Sequence, residues 1–582
     1  WALLGATFIA ICSFLPLYLA PASVAEIVKP LFVVLAVSLG LSWILALCQT
    51  TTFGNFILKE AVPGGAMKDP YDTKLYHKFE KFLTLLIKRR FVTLTTVFVT
   101  LVLSLVIMAV MPQSFFPKMN KPYFRADLVF PEGFSIHAVD QDVMKVEDYL
   151  KNHEKVKSYS VTLGGTPLRY YLASSSFGPK SNYANVMVET KDPEDAAEVE
   201  QQFYEHMTQN FPNIITRSAL FALSPVPEAA IEIGFIGENP DTLTALVERA
   251  KKIARQCDMV TDIRSNWGDK VPVWKPMFSQ QKGLRLGITR QQVANSFRTA
   301  TNGLPLGEYR EGDVSLPILL KDEDVEKMNL NDVKSVPVFS TKGNSVKVEQ
   351  VIDNFALGYD YNVVRRFNRE RCMMMQCEPK RGANTMAAFK QVLTAVQEQM
   401  QLPEGYKMKY FGEQETQDVS NAALAKNIPL TFLLIYVVLL FLFPSNYRKP
   451  VLIMLMLPLV FIGVVWGLLL FGKSLDFFAI LGLLGLIGMN IKNAIVLVDE
   501  IGLQLKDGKG AVPAVVEATK TRIVPVTMAS GTTILGMLPL LGDAMFAGMA
   551  ATIMGGLFVS TVLTIFVLPV TYCIFFKIRA DR

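Results

Sequence analysis

Gly488-Met489-Asn490-Ile491-Lys492-Asn493-Ala494 lies inside the apolar run from Phe477 to Val498, and the reading of the whole chain turns on it. A run of that length crosses the hydrocarbon of a bilayer as a helix. A lysine at such depth costs several kcal/mol unless an acid or water meets it. Lys492 therefore points to a helix bundle that supplies a charge partner. The plainer alternative is a stem that snorkels to the membrane edge, since Asp499 lies about two turns further on. Gly482, Gly485 and Gly488 recur at every third position just before it, thinning one side of the helix so that another helix can approach. Ordinary membrane-helix packing accounts for the glycines equally well.

The next apolar run opens at Arg522 and carries hydroxyls at Thr527, Ser530 and Thr533. Three-residue spacing suits either a polar stripe facing Lys492 or hydroxyls bonded to their own backbone carbonyls. Arg522 itself reads as a relay charge or as an anchor on the basic side of the membrane.

Outward from these two runs, the composition agrees. Of 582 residues, 51% are hydrophobic and 19% charged, too apolar for a soluble protein of this size. About eight stretches approach spanning length: 2–20, 29–48, 91–111, 427–443, 449–471, 475–498, 522–541 and 547–576. The sequence opens at Trp1 in an apolar stretch without a basic leader, and the expectation is a longer protein of which this is the C-terminal part. Lys88-Arg89-Arg90, Arg448-Lys449, the Lys506 to Arg522 linker and Lys577-Ile578-Arg579 all fall on one side when crossings alternate, which makes that side cytoplasmic. The long polar insert at 112–426 then lies outside. Residues 70–90 mix charged and apolar positions as an amphipathic connector along the inner surface does.

The insert repeats a strand, helix, strand theme at 124–163, 185–217, 230–265 and 371–411, which pairs into two split βαβ modules. The stretch at about 266–355 breaks the theme as an inserted subdomain would. The expected domains are therefore membrane helices at 1–111, a first module at 112–226, a second at 227–265 and 356–426, the insertion at 266–355, and membrane helices at 427–582. The fold class is a membrane α-helical bundle joined to an α+β extracytoplasmic part.

No P-loop, H-E-x-x-H or G-x-S-x-G is present, so the motifs name neither an ATP-driven pump nor a hydrolase, and no enzyme activity or cofactor is expected. The net charge of +6 is spread beside apolar segments and does not form a nucleic-acid stripe. The six cysteines have no zinc spacing. Cys372-Met373-Met374-Met375-Gln376-Cys377 offers soft ligands for copper(I), but its two thiols point opposite ways in a strand, and core packing is the reading taken. No metal site is expected. The stretch from Arg169-Tyr170-Tyr171 to Phe177 suits adaptable contact with apolar ligands, or simply covers an edge.

The order of spans and insert, with Phe14-Leu15-Pro16-Leu17, Phe130-Pro131-Glu132-Gly133, Leu286-Gly287-Ile288 and the Lys492 segment, resembles the C-terminal half of resistance-nodulation-division transporters, from their fifth membrane helix to their twelfth. The Lys492 segment looks more like the drug and amphiphile branch than the heavy-metal branch. The resemblance implies proton-driven antiport of amphiphilic small molecules by a homotrimer in a bacterial inner membrane. It further implies a periplasmic porter, a docking subdomain at 266–355, and partnership with a periplasmic adaptor and an outer-membrane channel. It makes Lys492, Asn493 and Arg522 relay residues, and leaves Thr527 or Ser530 to stand in for a threonine where this chain has Ala529. It places Ser160, Thr162, Tyr170, Tyr171, Phe221, Leu223 and Arg264 at the substrate pocket, Ser160 being small where an aromatic is common. The rivals are lipid or metal-ion export by a related member, and a sterol-sensing-like scaffold that has no need of Lys492.

Overall fold

The computed structural model describes residues 2–20, 23–57, 71, 73–114, 120–170, 179–221, 228–322, 330–340, 343–444 and 446–578. The first apolar stretch is two helices, α1 (Ala2–Ser13) and α2 (Leu15–Leu19), parted at Phe14 where Pro16 sits in the first turn of the second. The long α3 (Ser23–Ile57) follows. The connector forms α4 (Lys74–Lys88), which turns Phe79, Leu83 and Ile87 into the bundle core, and α5 (Arg90–Val110) crosses next.

The first module is β1 (Tyr123–Val129), α6 (Ile136–Lys151), β2 (Val156–Leu163), β3 (Tyr183–Thr190), α7 (Ala196–Asn210) and β4 (Ile215–Leu220). Its sheet runs β2-β3-β1-β4, antiparallel throughout. Phe124, Ala126 and Leu128 alternate inward along β1 to meet Val139, Val143 and Phe203 of the two helices. Ser135 caps α6 by accepting from the Ala138 N–H.

The second module opens with β5 (Ile231–Ile236), α8 (Pro240–Ala254) and β6 (Val260–Ser265). A separate compact unit, Trp267–Arg365, comes next. It holds β7 (Lys270–Phe278), α9 (Gln280–Leu286), α10 (Arg290–Ala300), β8 (Leu304–Glu311), β9 (Val314–Leu320), α11 (Leu330–Ser335), β10 (Pro337–Phe339), β11 (Ser345–Lys347) and β12 (Ile352–Tyr361). The expected range of 266–355 stops short of this unit, because β12 continues in register with β7 as far as Tyr361↔Lys270. The second module then resumes with β13 (Arg366–Phe367), β14 (Glu370–Pro379), α12 (Thr385–Gln399) and β15 (Lys407–Phe411). Its strands run β14-β5-β15 with β6 beside β14, the order of the first module. Met373, Met375, Cys372 and Cys377 are all buried within β14, as core.

β15 passes directly into the 31-residue α13 (Gly412–Leu442). Gly412 makes the corner at φ +80°, and a Cβ there would meet the Ala230 carbonyl oxygen at 2.9 Å. Lys409 pairs with Glu415 at 2.7 Å, and the Tyr410 hydroxyl donates to Asp418 at 2.9 Å, bracing the corner. After α13 come α14 (Arg448–Leu455), α15 (Val460–Leu470), α16 (Phe477–Lys506), α17 (Ala511–Met537) and α18 (Ala547–Phe575). The stretch expected as one span at 449–471 is the single apolar segment Arg448–Leu470, interrupted beside Pro458.

Among the described residues, seven helical segments are long and apolar enough to cross a membrane, and Leu3–Leu19 is a shorter apolar one. The last helices pack backbone to backbone. A Cβ on Gly555 of α18 would lie 2.4 Å from the Gly467 Cα of α15. The three glycines before Lys492 face two neighbours: Gly488 meets Ala10 and Gly485 meets Phe14, while Gly482 meets Met549 of α18.

Candidate functional site

α16 has two different sides. Asn490, Asn493, Ala494, Leu497 and Glu500 are buried, whereas Lys492 is exposed and Val496 and Asp499 are half-buried. At 100° per residue, Lys492 projects about 160° from Asn490 and about 100° from Asn493. Among the described residues, no hydrogen bond or ion pair reaches the Lys492 ammonium.

The buried side is tied to its neighbours by polar groups. The Asn493 amide donates to the Ser530 hydroxyl of α17 at 3.3 Å. The Thr561 hydroxyl of α18 lies 2.6 Å from that of Ser530 and 2.7 Å from the Leu557 carbonyl. One turn back, Ser560 donates to the side-chain amide oxygen (Oδ1) of Asn490. All five side chains are at most 7% exposed. The next hydroxyl along α18, that of Thr564, is buried with no partner among the described residues.

Arg522 does not approach Lys492. It pairs with Glu500, whose Cα is about 12 Å further along the axis of α16. The Gln504 amide donates to the other Glu500 oxygen at 2.8 Å. Thr527 donates to the Ile523 carbonyl at 2.6 Å and Thr533 to the Ala529 carbonyl at 3.0 Å, so of the three spaced hydroxyls only Ser530 enters the buried cluster. Glu500, Ser560 and Thr561 are members that the sequence reading missed. Glu500 stands seven residues after Asn493, on the same helical side, and that spacing was the available signal.

In the first module, register puts Ser160 and Thr162, two of the expected pocket residues, on the sheet face turned away from α6 and α7. One row across the sheet is Thr162, Asn185, Asp127 and Arg217, and the next is Ser160, Met187, Arg125 and Ala219. Asp127 accepts from the Tyr183 hydroxyl at 2.6 Å and the Asn185 amide at 2.8 Å. At one end Phe221 lies between Tyr123 and Tyr170, with ring centroids 6.0 and 5.9 Å away. Arg264 belongs to the second module; it donates to Glu378 at 3.1 Å and shares the Glu228 carbonyl with Arg217. Burial and the neighbouring Arg264 charge hold the Arg217 guanidinium below its ordinary pKa. Tyr171 and Leu223 lie outside the described residues.

The two modules are joined by charge. Arg381 of the second grips Glu200 of α7 through both terminal nitrogens, at 2.6 and 3.0 Å, and lies 4.0 Å over the Tyr204 ring. The Tyr204 hydroxyl donates in turn to Asp262 of β6 at 3.2 Å. Burial pushes the Asp262 carboxyl above its ordinary pKa.

Two split βαβ modules thus join long apolar helices, one of which carries an ammonium with no partner among the described residues. Residues 1–576 match the AcrB/AcrD/AcrF family, and the chain belongs to it. It is 27% identical to the nickel and cobalt resistance protein CnrA of Cupriavidus metallidurans, over 60% of this chain and 33% of that protein. It is 22% identical to the swarming motility protein SwrC of Bacillus subtilis, over 100% of this chain and 55% of that one. It is 24% identical to the multidrug export protein AcrF of Escherichia coli, over 80% and 46%. The crystal structure of a heavy metal efflux pump shares the fold at a TM-score of 0.77 and 18% identity, over 98% of this chain and 57% of the pump. The chain thus spans about half the length, or less, of these relatives.

Proposed function

We propose that this chain forms the C-terminal half of a proton-driven exporter of amphiphilic small molecules. The observation that carries the reading is the lone ammonium of Lys492, exposed on one side of a 30-residue apolar helix whose other side is locked by buried polar bonds. In lipid such a charge needs an acid from the rest of the assembled protein. Protonating that acid weakens its hold on Lys492, and a change in helix tilt then reaches the modules.

Polar groups on the sheet face away from α6 and α7, with Phe221 between two tyrosine rings at one end, favour amphiphiles as cargo. Ser160, Thr162 and Arg264 would set the polar end of that pocket. The protein would work as a homotrimer in a bacterial inner membrane, passing cargo through a periplasmic adaptor to an outer-membrane channel, with Trp267–Arg365 as the docking unit. The names of CnrA and AcrF span metal resistance and multidrug export, so metal-ion export is the second reading.

The test is ethidium efflux, with and without a protonophore, from cells making the full-length parent with Lys492 intact or changed to Ala. Efflux sensitive to the protonophore and lost in Lys492→Ala, at equal membrane levels, supports the proposal. Efflux that survives in the variant removes Lys492 from the mechanism. Nickel or cobalt tolerance in place of dye efflux moves the assignment to metals.

A further inference from the structure

Asn493 and Ser530 were read from sequence as proton carriers, but their surroundings fit another task. Asn493 lies about 100° round α16 from Lys492, and both Asn493 and Ser530 bond to a neighbouring helix. Together with Asn490, Ser560 and Thr561 they form a seam that joins α16 to both α17 and α18. Gly482, Gly485 and Gly488 let the neighbours of α16 approach closely, and hydrogen bonds between helices add to that packing. Hydrogen bonds are directional and weaken steeply when bent.

Rolling α16 enough to bring Lys492 toward α17 or α18 stretches the Asn493 bond, already 3.3 Å long, and the Asn490 contact with it. Broken bonds there would leave amide and hydroxyl groups unpaired among side chains such as Leu557 and Ile491, which are 2% and 0% exposed. About two turns further along, the Glu500–Arg522 pair holds the same two helices in the same antiparallel register.

We infer that Asn493, Ser530 and Thr561, backed by Asn490 and Ser560, are positioning residues that fix the rotation of α16 and so aim Lys492 away from its own bundle. They carry no proton. The functional part of this inference rests on the reading of Lys492 as the charge through which the gradient acts; the orientation of the helix does not.

The experiment places a reporter on the Lys492 side while leaving the lysine in place. Val496→Cys, one turn along and half-buried, is introduced into the full-length parent and reacted in membranes with a membrane-permeant maleimide. Modification is read at that position by mass spectrometry, so native cysteines do not contribute. Ser530→Ala and Thr561→Val are then added separately, with Ser530→Thr and Thr561→Ser as variants that keep the hydroxyl.

The expected result is a change of about tenfold in the labelling rate in each hydroxyl-free variant, the scale of one buried hydrogen bond redistributing two helix orientations. Parent-like labelling should return when the hydroxyl is kept. The pH profile of ethidium efflux should shift in the same variants and return in the same rescues. Parent-like labelling in both Ser530→Ala and Thr561→Val overturns the inference, whatever efflux does. A shift of labelling with no shift of the pH profile removes the link to Lys492 and overturns the positioning role. A parent that exports without sensitivity to the protonophore defeats the proposed function, while labelling still decides whether the seam orients the helix.

Discussion

Arg522 sets two guanidinium nitrogens on one oxygen of Glu500, with Nε at 3.0 Å, and by doing so ties α17 to α16. The carboxylate is nearly buried and the guanidinium about a third exposed, which leaves the acid more dependent on the pair. Glu500→Gln should lower the thermal stability of the detergent-purified protein, by roughly 1.5–3 kcal/mol for loss of a charged hydrogen bond. The double variant Glu500→Gln with Arg522→Gln should recover part of that loss, because neither partner is then left charged alone. Equal unfolding temperatures for parent and Glu500→Gln would show that the pair contributes nothing.

The contact between Gly555 and Gly467 leaves no room for a side chain. Gly555→Leu should force α15 and α18 apart at a cost of about 3 kcal/mol, the upper end for overpacking. Fluorescence-detected size exclusion of the tagged protein should show loss of the folded peak. Gly531, which has nothing within 4 Å of a built Cβ, is the control: Gly531→Ala should keep the peak.

Glu232 on β5 accepts from the Gln376 amide at 2.8 Å and the Ala229 N–H at 3.2 Å, and burial lifts its pKa from 4.5 to about 7. A raised carboxyl pKa means that the folded chain holds a proton the unfolded chain has released. The stability contribution is full below about pH 4.5, falls as the pH climbs to about 7, and is constant beyond. Glu232→Gln should therefore gain on the parent by roughly 2–3 kcal/mol between pH 4.5 and pH 8. Thermal unfolding at the two pH values checks this, and parallel pH dependences would assign the titration to another group.

The grip of Arg381 on Glu200 is a bidentate charged contact between the two modules. Arg381→Ala should loosen the seam without unfolding either sheet. Hydrogen exchange should quicken about tenfold or more in β4 and the N-terminal half of α7, with β5 unchanged. Uniform protection across both modules would mean that apolar packing, not charge, holds them together.

Much of the architecture was legible because its periods are strong. Ile231–Ile236 and Cys372–Cys377 were read as strands, and they pair with one another in register. The helices were harder to bound. α13 begins at Gly412, well before its apolar part, because Gln414, Glu415 and Lys426 have helix propensities close to that of leucine yet are invisible to hydropathy. α17 likewise starts at Ala511, within the linker.

At the site, a polar residue in an apolar run announced itself, but its direction did not. Thr527 and Ser530 look alike in sequence, and only the packing of α18 sends one to its own backbone and the other to Thr561. Glu500 lay just past the end of the apolar run at Val498 and so escaped the search for buried charge. The rows that hold Ser160 and Thr162 depend on strand register, which only pairing of whole strands establishes.

One corner of the chain has a mechanical consequence. At Gly412 a strand of the second module becomes a helix of the bundle without a single loop residue between them, and the Lys409–Glu415 and Tyr410–Asp418 contacts stiffen the bend. A hinge there would need slack, and there is none. A crank is the better image: a tilt of α13 in the bilayer swings β15, and through β15 the sheet edge to which it is bonded.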